Sequence, residues 1–316
     1  MDINRTPKAE LHYHLDCISA ELCWRFTNRN HLSMPFQTEE ECKALYRFTD
    51  FRGFARVVGT AIASVRTEED VFDLVVACAE DMTRQDIVYR EAMFDYPACF
   101  SRRGIEFSTV VSGLEQGLSY VRRNYPQLEL CFIANMDRTA LAEDNLAFLG
   151  QLAKARGRIP VMAIGLDNQE SGYPAYRQEA VFKRAREMGF FLTAHAGETE
   201  GPSSIWDTLC SLKVDRLDHG IRAAESAELM DYLAYKGILL TLCPDSNISL
   251  GIYQDWEAYP LRTLLEHGVK VCINSDDPPY YHYDLNGNLG RLLSEGLATE
   301  AELGQMLQNA FDGRFQ

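Results

Sequence analysis

Residues 88–136 read VYREAMFDYPACFSRRGIEFSTVVSGLEQGLSYVRRNYPQLELCFIANM, and this stretch decides the fold. Its ends, 88–96 and 128–136, have the length and composition of strands. Between them, 107–124 carries apolar residues at three- and four-residue spacing, which predicts an amphipathic helix. The unit is strand, helix, strand.

The same alternation runs outward in both directions. Further strands are expected at 9–15, 161–167, 190–197, 215–220, 238–244 and 269–275. Several are too short and too apolar to have one wet face, which fits parallel strands buried on both sides. Helices are expected between them, over 67–84 with Thr67 as N-cap and acidic residues in the first turn, and again over 140–156, 175–189 and 224–237. Gly189 and Gly237 stand where helix C-caps belong. Eight strands alternating with helices predict a single (β/α)8 barrel domain over residues 1–316. An open doubly wound sheet is the alternative, and it loses support because no G-x-G-x-x-G follows the first strand. The long stretch from about 17 to 67 reads as a helical insertion after the first strand, capping the barrel mouth.

Composition narrows the function. The 316 residues carry 31 basic and 46 acidic side chains, a net charge of −15. Such a chain repels phosphate backbones and anionic lipid, so neither nucleic acid nor membrane is an expected partner. Nine scattered cysteines with no Cys-x-x-Cys pair read as free thiols in a reducing compartment. The opening residues lack an apolar signal core, and no apolar run approaches about 18 residues. A soluble, cytoplasmic protein is expected.

Four of the seven histidines carry the chemistry. His12 and His14 end the first strand, His195 the fifth and His219 the sixth, while Asp276 and Asp277 follow the eighth. Catalytic groups of (β/α)8 barrels come from this end of several strands. Residues i and i+2 of a strand point to one side, so His12 and His14 can reach one metal ion. Glu198, in HAGE, is a carboxyl that burial can keep protonated as an acid, and His219, in LDHG, can take or hold a proton. Each pattern also has a purely structural reading. Strand histidines pack and hydrogen-bond in cores, and SDDPP is a good turn. Their coincidence at one predicted rim is what points to three nitrogens and one carboxylate around zinc, with water as the remaining ligand. Zinc brings the pKa of such a water to about 7. The fourth strand, VMAIGLD, has no lysine to bridge two metals, so one ion per chain is expected.

PKAELHYHLD, HAGE, LDHG, CPDSN and SDDP occur in the order found in the adenosine/adenine deaminase family, and the sequence resembles that family from Pro7 to about Phe311. The resemblance implies a zinc-dependent (β/α)8 barrel that hydrolyses the 6-amino group of purines. It implies that His12, His14, His195 and Asp276 bind zinc, that Glu198 protonates purine N1, and that His219 orients the attacking water and shares in proton transfer. Asp277 then bonds N7, and Gly165 meets N3 through its backbone. FDYPACFSRRGIEFSTVVSGL and GLDNQESGYP resemble the adenine deaminase branch. Asp16 instead matches the adenosine deaminases, where an aspartate here meets the ribose, and Cys17 replaces a glycine usual in both branches. Asp16 and Cys17 are therefore expected at the substrate.

The expected activity is deamination of a small 6-aminopurine, adenine before adenosine or an N6-substituted adenine. Rivals of another class are a barrel metallohydrolase of amides or esters and a zinc-binding relative without catalysis. The acidic balance fits an uncharged purine or nucleoside as the small-molecule partner.

Overall fold

The computed structural model describes residues 2–48 and 51–316. Among the described residues are nine short strands: β1 Lys8–His14, β2 Ile87–Phe94, β3 Glu129–Asp137, β4 Val161–Asp167, β5 Phe191–Leu192, β6 His195–Ala196, β7 Leu217–His219, β8 Leu240–Leu242 and β9 Val271–Ile273. All pairings are parallel, in the orders β1-β2-β3-β4-β5 and β6-β7-β8-β9.

These nine strands are the expected eight, with the fifth interrupted. Between β5 and β6 the ladder continues through Thr193 N–H to Ile164 C=O at 3.0 Å and Asp218 N–H to Ala194 C=O at 2.9 Å. The last strand also leaves the ladder early and is tied back to the first by other means. Leu11 N–H donates to Asn274 Oδ1 at 2.9 Å, His14 N–H to Asp276 C=O at 3.0 Å, and Asp276 N–H to His12 C=O at 3.2 Å. The strands thus close on themselves as a (β/α)8 barrel, and the closing seam runs through the residues flagged as metal ligands.

The helices are α1 Ala20–Arg29, α2 Glu39–Leu45, α3 Phe51–Ser64, α4 Glu68–Arg84, α5 Phe107–Asn124, α6 Ala142–Ala155 and α7 Glu179–Glu187. They continue as α8 Pro202–Asp207, α9 Ala227–Lys236, α10 Pro244–Ser249, α11 Leu261–Glu266, α12 Leu285–Ser294 and α13 Glu300–Asp312. Thr67 caps α4 in a reciprocal capping box with Asp70, and Gly237 ends α9 in the left-handed region at φ +66°. The expected insertion is built of α1, α2 and α3; residues 49 and 50 within it lie outside the described residues. No helix among the described residues is long and apolar enough to cross a membrane.

The lower half of the barrel is packed with charge as well as hydrocarbon. Arg90, fully buried, places Nη2 2.6 Å from Glu10 and 2.7 Å from Asp81, and Arg216 places Nη2 2.7 Å from Glu91. Phe315 stacks on Phe191 with ring centres 4.9 Å apart and under the Arg216 guanidinium at 4.2 Å. This end is filled, which leaves the C-terminal ends of the strands as the open end. Of the nine cysteines, seven are buried, Cys99 is half-buried and Cys210 exposed, all as free thiols.

Candidate active site and metal centre

At the open end, β1 delivers His12 and His14, β6 delivers His195, β7 delivers His219, and the turn after β9 delivers Asp276. His12 Nε2 lies 3.2 Å and His14 Nε2 3.5 Å from Asp276 Oδ1, while His14 Nε2 and His195 Nε2 are 3.3 Å apart. Zinc bonds of about 2.0–2.1 Å in a tetrahedron imply ligand atoms roughly 3.3 Å apart, so these spacings suit one ion. His219 sits beside the same group: His12, His195, His219 and Asp276 offer atoms all within 4.8 Å of one another, and His14, Asp167 and His195 form a second such group. His219 Nε2 is 3.9 Å from Asp276 Oδ2 and 3.7 Å from Glu198 Oε1, which sets it between the cluster and the acid.

The second layer of contacts aims these ligands. His195 Nδ1 lies 3.1 Å from the Leu166 carbonyl, which can only accept, so its Nε2 is left bare toward the cluster. Ser246 donates to Asp276 Oδ2 at 2.5 Å. His219 and Asp276 both have left-handed backbones, at φ +56° and +65°, a conformation costly for residues with a Cβ and held here by the surrounding seam.

The electrostatics call for a cation. Burial pushes the His12 imidazole down to about 4 against the pull of Asp276, so it is neutral at pH 7. Its Nε2 is buried with no hydrogen-bond partner among the described residues. His14 is surrounded by Asp16, Asp95, Asp167 and Asp276, with oxygens at 3.4–4.0 Å. Burial alone lowers its pKa, but Asp277, Asp95, Asp167 and Asp276 outweigh that and raise it well above the usual value. A cluster that holds a proton this tightly in the absence of another cation, beside a bare imidazole nitrogen, is suited to a divalent ion.

Glu198 lies on the rim with its side chain 19% exposed. Burial, with the Asp276 charge second, pushes its carboxyl up to about 8. Burial likewise raises Asp277 well above the carboxylate range, with Asp276 and Asp16 adding to it and His14 opposing. Both can therefore hold a proton at neutral pH and donate hydrogen bonds.

These groups face a cavity of about 600 Å³ whose wall includes Asp16, Asp95, Asp167, Glu198 and Asp277, with Phe54, Val58 and Ile62 of α3 closing one side. Two expected contacts are corrected. Cys17 is not on the wall: the chain turns after His14, Cys17 N–H returning to His14 C=O at 3.3 Å, and Cys17 is packed in the apolar core. Gly165 is not on the wall either. Strand β4 runs on to Asp167, so Gly165 stays inside the barrel against Asn135, and the wall there is formed by Asp167–Ser171, with Asn168 at φ +80°.

Sequence reasoning missed Asp95 and Asp167, although both end predicted strands and the rule that found the histidines would have found them. It also missed Thr241, Asp218 and Glu170, which touch ligands or backbone from strands and loops distant in sequence.

The fold and this rim have the layout of a metal-dependent barrel hydrolase. A family model described as adenosine deaminase matches residues 7–316, and the chain belongs to the adenosine deaminase family. It is similar to an adenine deaminase of Cupriavidus pinatubonensis, 35% identical over 99% of this chain and 88% of that protein. An adenine deaminase structure from Arthrobacter aurescens superposes with a TM-score of 0.92 at 31% identity, covering 98% of this chain and 94% of that one. An amidohydrolase from Burkholderia ambifaria, solved with bound Zn, shares the fold at a TM-score of 0.90 and 24% identity, over 99% of this chain and 87% of that one.

Proposed function

We propose that the protein hydrolyses the 6-amino group of a purine, adenine first, giving the 6-oxopurine and ammonia. The observation that carries this is the convergence of the His12, His14 and His195 Nε2 atoms and Asp276 on one rim of the cavity that Glu198 and His219 also face. The similarity to adenine deaminases over nearly the whole chain supports adenine as the substrate.

His12, His14, His195 and Asp276 would hold one zinc ion. Such an ion, when bound, would supply a water acidic enough to give hydroxide near neutral pH. Glu198, protonated, donates to purine N1 and draws electron density from C6. His219 takes a proton from the attacking water and passes it to the departing amino group. Oxygen thus bonds to C6, the C6–N6 bond breaks, ammonia leaves, and the proton of the new hydroxyl group returns to Glu198. Asp277, also protonated, donates to N7, while the apolar α3 wall excludes bulk water. We assign the protein to the cytoplasm, where nine free thiols are stable.

A larger 6-aminopurine is the second reading. Asp16 Oδ2 and Asp95 Oδ1, both in residues on the cavity wall, are buried with no hydrogen-bond partner among the described residues, and they suit hydroxyl or amine donors on a substituent.

The test is a panel of adenine, adenosine and N6-substituted adenines with zinc-loaded protein, reading absorbance and released ammonia or amine. Adenine turnover with one ammonia per purine is expected. No turnover of any 6-aminopurine overturns the reading, and preference for a substituted purine selects the second.

A further inference from the structure

Glu170, in the loop after β4, belongs to no ligand set and donates nothing to the reaction above. It nevertheless gathers the loop that carries Glu198. Its Oε2 accepts from the backbone N–H groups of Glu198 at 3.2 Å, Thr199 at 2.8 Å and Glu200 at 3.0 Å, and from the Thr199 hydroxyl at 3.1 Å. Its Oε1 accepts from Gly197 N–H at 2.8 Å and the Ser204 hydroxyl at 2.7 Å. Four consecutive amides wrapped on one carboxylate form an anion nest, and each bond is charge-assisted.

Burial pushes the Glu170 carboxyl up, but the Glu200 amide, the Ser204 hydroxyl, the Arg138 guanidinium and the Gly197 amide outweigh it, leaving the group ionised and below its usual range. The loop has little other freedom. Gly197 sits at φ +66° with Ile205 against it, leaving no room for a Cβ, and Arg222 Nη1 holds the Thr199 carbonyl at 2.5 Å.

We propose that Glu170 is a positioning residue: by holding the amides of 197–200 it fixes where the Glu198 carboxyl stands relative to His219 and the purine. This rests on the reading of Glu198 as the acid of the reaction. A carboxylate is required because every group facing Glu170 is a donor. In Glu170→Gln one oxygen becomes an NH2, which orphans Gly197 N–H in one orientation and three amides in the other. A displacement of about 1 Å at a catalytic group costs up to about 100-fold in rate.

The experiment compares the zinc-loaded wild type, E170Q, E198Q and the E170Q/E198Q double variant on adenine, with zinc content and amide hydrogen exchange measured on the same samples. In E170Q we expect kcat to fall about 10–100-fold with KM within about threefold, zinc retained, and exchange faster by about tenfold at 197–200 with the rest of the barrel unchanged. The double variant should be within about twofold of E198Q, because Glu170 acts through Glu198. A kcat change below about threefold, multiplicative losses in the double variant, or exchange accelerated throughout the barrel overturns the proposal. If the wild type turns over no 6-aminopurine, the reaction assignment fails by itself. Unchanged exchange at 197–200 in E170Q overturns the part given to Glu170 whatever the wild type does.

Discussion

The Thr241 hydroxyl lies 3.0 Å from His12 Nδ1 and donates to Asp218 Oδ1, also at 3.0 Å. Having spent its proton on Asp218, Thr241 must accept from His12 Nδ1–H, which fixes the tautomer and leaves Nε2 bare toward the cluster. Thr241→Val keeps the shape and removes the acceptor. Zinc affinity is expected to fall about 10–100-fold, with the barrel otherwise intact. Competition with a chromophoric chelator measures this directly.

Metal removal is the simplest check on the cluster. Chelation should abolish turnover, and elemental analysis of the active protein should return about one zinc per chain. Thermal unfolding should fall in temperature on chelation, since a ligand that binds only the folded chain stabilises it. Two ions per chain, or full activity after chelation, contradicts the single-ion site.

Glu198→Gln should lower kcat by about 100- to 10,000-fold while retaining zinc, the range for loss of a general acid. In the wild type, the acid form is needed, so kcat/KM should fall tenfold per pH unit above the Glu198 pKa. That pKa is pushed up to about 8 in the protein without a cation, and a bound divalent ion draws it lower. The basic limb therefore belongs at or below pH 8, and it should vanish from the residual activity of E198Q.

The same shift makes a stability prediction of opposite sense. An acid whose folded pKa lies above its unfolded value holds a proton in the fold that it has lost when unfolded. Stability then declines as pH rises from the unfolded value of about 4.3 to the folded value. Metal-free E198Q lacks this penalty and should be more stable than metal-free wild type by ~5 kcal/mol at pH 8.5, and equal to it at pH 4. Denaturant midpoints at the two pH values settle it.

Arg90→Met should cost about 3–5 kcal/mol, because it strands the buried Glu10 carboxylate without its ion-pair partner and leaves Asp81 with Arg84 and Gln85 alone. Adding Glu10→Gln should recover part of that loss, and thermal unfolding of the single and double variants gives the comparison.

Much of this molecule was legible before folding. Thr67, Gly237 and the 107–124 periodicity mark helices through local rules, and all three stand as read. The strand-end positions of His12, His14, His195 and His219 followed from the same periodicity joined to the geometry of barrels. Cys17 and Gly165 escaped because whether a residue faces a cavity depends on where the chain turns. One tight turn after His14 and two more residues of β4 moved both off the wall.

The sequence by itself determined the alternation of strands and helices, and with it the end of the barrel where chemistry gathers. Backbone periodicity and capping act over a few residues and are written locally. Only the tertiary structure decided which nitrogens meet, because that depends on closing the barrel between residues more than 260 positions apart. The Asp276 carbonyl against His14 N–H and Asn274 against Leu11 are contacts of that kind, and Glu170 beneath the 197–200 amides likewise joins two separate loops of the rim. So are the raised Glu198 and Asp277 carboxyls, whose pKa values come from burial and neighbours that no stretch of sequence contains.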